Sequence, residues 1–126
     1  MEIIFLIGRI LFGGVFLMFG ITHFRDRKNM VEFIKSKNVS SPKLANLLAA
    51  TFLTVSGIFI ILGIFSEIAA SALILFLVGA SVTMHDFWAI QDPQEKQRQM
   101  ASFMLNMALI GANLIIIYIN YWPLSL

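Results

Sequence analysis

No cysteine occurs in the 126 residues, which excludes disulfides, thiol–disulfide exchange and cysteine-ligated iron–sulfur or zinc sites. A redox role would have to borrow its electron carrier. Charge is almost as scarce: only 13% of residues are Asp, Glu, Lys or Arg, while 59% are hydrophobic, and the mean hydropathy is +0.86. A soluble domain this small cannot hide that much apolar surface, so the composition specifies a membrane protein. The sequence has no P-loop, no dinucleotide-type glycine run and no serine with a histidine and an acid at a recognisable spacing. It therefore carries no self-contained catalytic motif. The net charge of +2 is small and confined to short segments, which argues for topology signals and against nucleic-acid binding.

What remains is four apolar runs, at about residues 3–24, 44–65, 68–84 and 100–121. They are too long for strands and lack period-two alternation, and an open sheet edge in lipid would leave backbone groups unpaired. The expected fold is all-α, a single domain over residues 1–126 forming an antiparallel four-helix bundle in the membrane. The first run has its basic flank after the apolar stretch, at Arg25, Arg27 and Lys28, the reverse of a cleaved leader, and is expected to stay in the mature protein. Ser40, Ser41 and Pro42 predict a serine N-cap and a first-turn proline for the second helix. Gly63, Ser66 and Glu67 leave room only for a tight turn before the third. Asp92, Pro93 and Glu95 read as N-cap, first-turn proline and capping-box acid, so the last helix should start near Pro93, ahead of its membrane part.

Eight of the nine Lys and Arg residues lie between Arg25 and Lys43 or at Lys96 and Arg98. The positive-inside rule puts both of these loops in the cytoplasm and both termini outside, in a plasma (inner) membrane. Tyr118, Tyr121 and Trp122 suit an outer aromatic belt, and Phe87 and Trp88 an inner one. Met30, Phe33 and Ile34 fall at helical spacing among lysines, which predicts a short helix on the inner surface.

Within the spans, polar residues fall in lines. Arg9, Gly13, Phe16, Gly20 and His23 step by four, three, four and three, which sets the one intramembrane cation on a face with two glycines and turns that face toward protein. Glu67, Ser71, Ile74, Val78, Ser81 and His85 form a similar line on the third span. Ser102, Asn106, Asn113 and Asn120 form one on the fourth. Thr51, Thr54, Ser56 and Gly57 of the second span are weaker markers, because hydroxyls can satisfy their own backbone. At about 1.5 Å rise per residue, Arg9 and Asn113 sit at similar depth and are expected to meet. Two readings compete for Arg9: an anchor that snorkels to headgroups or pairs with Glu67, and a ligand or partner contact. Interhelical hydrogen bonding alone competes likewise with a polar pocket for the asparagines. His23 and His85 share the inner end, but no HxxxH, HExxH or CxxC spacing supports haem or metal there.

Taken in order, these residues resemble the DoxX family of small four-helix membrane proteins, from about Ile7 to Ile117. The likeness rests on Arg9, Gly13, Gly20, His23 and Phe24 in the first span and on Gly57, Leu62 and Gly63 in the second. Met84, His85, Asp86, Phe87, Trp88, Asp92 and Pro93 match the third-span exit, and Phe103, Asn106, Leu109 and Gly111 the fourth span. The chain departs from the family at Leu53, where many members carry a glutamate, and at His23, where many carry a basic residue. The resemblance implies a link to membrane subunits of quinone-linked sulfur oxidation and of redox-stress complexes.

What the resemblance implies, set beside these residues, is an accessory or quinone-interacting subunit of a membrane oxidoreductase complex, at most a subunit of an oxidoreductase and not an enzyme with a catalytic motif of its own. Arg9 and Asn113 would line an outer pocket, with Asn106 and His85 nearer the inner surface. No cofactor of its own is expected beyond a bound quinone, and the partners are the lipid bilayer and subunits of a membrane complex. The alternative is a non-enzymatic lipid-binding, carrier or assembly protein that uses the same polar seam.

Overall fold

The computed structural model describes residues 2–119 and 122–123. Asn120 and Tyr121, expected to extend the amide line and the outer aromatic belt, lie outside the described residues. The described chain is helical: α1 (Glu2–Arg25), α2 (Arg27–Ser36), α3 (Pro42–Leu62), α4 (Ser66–Met84) and α5 (Pro93–Tyr118), with a one-turn 3-10 helix at Phe87–Ala89 before α5. Four of these, all but α2, are long and apolar enough to cross a membrane. The shortest, α4, has 19 residues and rises about 28 Å, close to the roughly 30 Å of a hydrocarbon core.

Each boundary has a local cause. At the end of α3, Gly63 takes a left-handed conformation at φ 75°. Its N–H and that of Ile64 fold back on the Phe59 carbonyl at 2.8 and 3.0 Å, closing the helix at Leu62, earlier than the apolar run suggests. Phe65, left-handed at φ 49°, completes the turn, and α4 starts at Ser66. Pro42 occupies the first turn of α3 as expected, but the Ser41 side chain makes no capping hydrogen bond. At α5 the Asp92 carboxylate does cap, accepting the Glu95 N–H at 3.1 Å. Glu95 does not return the bond, because its two oxygens accept from Gln99 Nε2 and from Arg98.

The helices assemble as two pairs. Packing is most extensive between α1 and α3 and next between α4 and α5, and a smaller α3–α4 contact joins the pairs. The core lies along that join, where Phe16, Leu53, Ile60, Ala69, Leu73 and Leu77 are buried together. The predicted α1 face is the buried one, since Arg9, Gly13, Phe16 and Gly20 are that helix's buried residues. On α4 the structure corrects the sequence: Glu67, Ser71 and Val78 are exposed, and the buried line is Ala69, Ala70, Leu73, Leu77 and Ser81. Two alanines admit a close neighbour and two leucines fill the core. A serine does not mark a protein-facing side because its hydroxyl can bond its own helix backbone.

The predicted surface helix is α2, which folds back at Asp26 and packs against α3 with Ile34 buried. Its other face carries Arg27, Lys28 and Lys35, all exposed.

Candidate ligand cavity

The α1–α3 seam is set by small residues. A Cβ on Gly13 would lie 2.6 Å from the Gly57 carbonyl oxygen, and one on Gly20 would lie 2.7 Å from the Thr54 nitrogen. The two backbones are in direct contact, so no ligand passes there.

At the end of the bundle away from α2, Arg9 is 4% exposed. Its guanidinium donates to the carbonyls of Ile61, at 2.9 Å, and Pro123, and lies over the rings of Phe5 and Trp122 at 5.8 and 5.6 Å from their centroids. Arg9 therefore ties the end of α3 and the segment after α5 to α1. A small cavity of about 300 Å³ adjoins it, lined by Ile4, Phe5, Gly8, Phe12, Ile60, Ile116 and Trp122.

The expected meeting of Arg9 and Asn113 does not occur. Asn113, fully buried, donates to the Leu109 carbonyl of its own helix at 2.9 Å, and its Oδ1 has no hydrogen-bond partner. Equal depth does not set equal azimuth, and Asn113 is absent from the residues lining the Arg9 cavity. Nor does Arg9 pair with Glu67, which is exposed at the start of α4.

The larger cavity, about 500 Å³, lies between the two helix pairs at the α2 end. Its walls are mainly apolar and aromatic: Phe16 and Phe19 of α1, Met30, Phe33 and Ile34 of α2, Ala49 and Leu53 of α3, Phe76 and Leu77 of α4. Leu53, 1% exposed, is part of this apolar wall. Polar groups enter at one end: His23, Thr83, His85, Ser102 and Asn106. Volume and lining suit a small-molecule site, in which a few placed polar groups orient a mostly apolar ligand. Phe19, Leu75, Thr83 and Leu105 line it while also exposed on the outside of the bundle, so it opens sideways, where lipid would lie.

Of the four expected ligand residues, the cavity brings together His85 and Asn106 and leaves out Arg9 and Asn113. It adds His23. Asn106 Nδ2 donates to Ser81 Oγ at 3.1 Å, which links α5 to α4. His23 Nδ1 is 2.7 Å from Asn46 Oδ1, and His85 Nδ1 is 2.7 Å from Gln99 Oε1. Both amides are buried, Asn46 to 2% and Gln99 to 8% exposure. Sequence reasoning passed over them, although Asn46 is the one amide inside the second span and Gln99 stands one turn after Glu95. At the same end of the bundle, Lys37 Nζ meets Asp86 Oδ1 at 2.7 Å, joining the residue after α2 to the segment after α4. Beside it Phe87, Trp88 and Phe103 pack edge to face, with centroids 5.3 to 5.8 Å apart.

Four membrane-length helices around a side-opening cavity define a small integral membrane protein of the helical-bundle class. The chain belongs to the DoxX family, whose sequence model matches residues 4–86, from α1 through the end of α4. It is similar to the inner membrane protein YphA of Escherichia coli (strain K12), with 26% identity over 115 residues that cover 91% of this chain and 81% of the relative. No solved structure matches it.

Proposed function

We propose that this DoxX-family protein is an accessory subunit of a membrane oxidoreductase complex that holds a quinone in the cavity between its helix pairs. One observation carries the reading: the 500 Å³ cavity has aromatic and aliphatic walls, a polar end at His23, His85, Ser102 and Asn106, and an opening on the side of the bundle. A quinone has a flat ring with polar edges and an isoprenoid tail. Such a ring would rest among Phe16, Phe19, Phe33 and Phe76, with its oxygens toward the polar end of the cavity and its tail leaving past Leu75 and Leu105 into lipid. With no cysteine and no nucleotide-binding glycine run, the chain would pass electrons only through a partner subunit. We place it in the inner membrane, as the name of its relative suggests, with the α2 end in the cytoplasm because eight basic residues lie there.

Native mass spectrometry of protein extracted in mild detergent, with organic extraction of the same sample, tests the reading. The expected result is one quinone-class molecule per chain. Phospholipid alone in that position would overturn it in favour of a lipid-binding or carrier protein, and a partner protein with an empty cavity in favour of an assembly factor.

A further inference from the structure

The two histidines in the cavity wall are held in one tautomer, and that tautomer selects what the cavity takes. Asn46 Nδ2 lies 3.0 Å from the backbone carbonyl oxygen of His23, an atom that only accepts, so the amide nitrogen must face it and Oδ1 must face the His23 ring. Gln99 Nε2 lies 2.9 Å from the Glu95 carboxylate, whose other oxygen accepts from Arg98 at 2.8 Å. Gln99 Oε1 therefore faces the His85 ring in the same way. An amide oxygen only accepts, so in each neutral imidazole Nδ1 carries the hydrogen and Nε2 carries the lone pair. Two separate buried amides, on α3 and α5, impose the same choice on two histidines that line one cavity. Neither Nε2 makes a hydrogen bond among the described residues.

A wall that offers two lone pairs accepts hydrogen bonds. Carbonyl oxygens brought against it would be acceptors facing acceptors, and burying an unmatched pair of that kind carries a desolvation penalty. A hydroxyl would be satisfied there. We infer that His23 and His85 make this cavity a site for a hydroxyl-bearing ring, binding a quinol in preference to its quinone, with each Nε2 accepting a ligand O–H. This rests on the cavity reading above and adds the redox form of the ligand. Among the described residues no three His, Asp or Glu side chains gather, whereas a zinc-type centre takes at least three protein ligands.

The test uses the full chain in lipid nanodiscs under argon. Binding of a short-tailed benzoquinone and a short-tailed naphthoquinone, each with its quinol, is measured by calorimetry for the wild type, His23→Phe and His85→Phe. The quinol of at least one pair should bind about tenfold tighter than its quinone, and each variant should lose most of that preference through weaker quinol binding. Nitrogen NMR of histidine-labelled protein, readable because the chain has only two histidines, should show both rings protonated at Nδ1, and this measurement needs no variant. Equal binding of quinone and quinol, or Nε2 protonation in both rings, overturns the inference and leaves the cavity reading standing. Failure of all four compounds to bind overturns both.

Discussion

Gly13 of α1 and Gly57 of α3 are in mutual backbone contact: a Cβ on either would come within 2.6 Å of the other's carbonyl oxygen. The contact recurs two turns on, where Gly20 meets the Thr54 and Ala50 backbone, while Gly14, one residue from Gly13, has nothing within 4 Å. Small residues are what let membrane helices approach this closely. Gly13→Leu and Gly20→Leu should each lower stability by about 3 kcal/mol, the upper end of overpacking costs, and Gly14→Leu should change it little. Thermal melts in detergent would show this as a large drop in Tm for the first two only, and equal tolerance at all three would mean that the seam is not there.

Arg9 spends its charge on backbone carbonyls of two other segments, at Ile61 and Pro123, and on two aromatic faces. Lysine keeps the charge but lacks the planar fork that reaches two acceptors at once. Arg9→Lys should therefore cost about 2 kcal/mol, in the range for hydrogen bonds to a charged group, and leave ligand occupancy of the large cavity unchanged. Unaltered stability with lost ligand would restore Arg9 to a binding role.

Asn113 makes the opposite prediction. Its Nδ2 is matched within its own helix, but its Oδ1 is buried without a partner. Leucine has nearly the same shape and leaves no acceptor to satisfy, so Asn113→Leu should be neutral or stabilising by about 1 kcal/mol. A marked fall in Tm would mean that the oxygen has a partner in the membrane, such as an ordered water.

The α1 stripe was legible because its signal is steric: two glycines, a phenylalanine and an arginine at helical steps have few uses except a buried seam. The α4 stripe was misread because Ser71 and Glu67 look polar enough to need protein, whereas the packing there is decided by Ala70, Leu73 and Leu77. Depth along a helix follows from counting residues, which set Arg9 and Asn113 level. Azimuth between non-adjacent helices does not follow from counting, and that is why they fail to meet. The cavity itself is a gap between helix pairs, and no residue type marks a gap. Residue counting sets His23 and His85 at the same end, but that both line one cavity, with Asn46 against the His23 ring, is a matter of packing.

Lys37 and Asp86 tie the residue after α2 to the segment after α4 at 2.7 Å, both partly exposed. An ion pair in that setting contributes at most about 1 kcal/mol, so Lys37→Asp should barely move Tm. It should shorten the residence time of bound ligand severalfold, because the pair holds the end of α2, whose Met30, Phe33 and Ile34 line the cavity. Adding Asp86→Lys should restore the slow exchange. Dissociation rates measured by ligand chase on the single and double variants would decide this, and unchanged rates in the single variant would show that α2 does not gate the cavity.

Orientation can be tested without disturbing the fold, since the chain has no native cysteine. The α2 end carries Arg25, Arg27, Lys28, Lys35, Lys37, Lys43, Lys96 and Arg98, whereas the α3–α4 turn at the opposite end carries only Glu67. Basic loops are retained in the cytoplasm, and acids contribute little to that bias. Lys35 and Glu67 are both exposed, so cysteines placed there are accessible from their own side of the membrane. Lys35→Cys and Gln97→Cys should stay unlabelled by an impermeant thiol reagent in intact cells and react after permeabilisation, while Glu67→Cys and Ser125→Cys should react at once. The reverse pattern would place the large cavity on the outer side of the membrane, and any partner that exchanges electrons with its ligand would then have to be sought there.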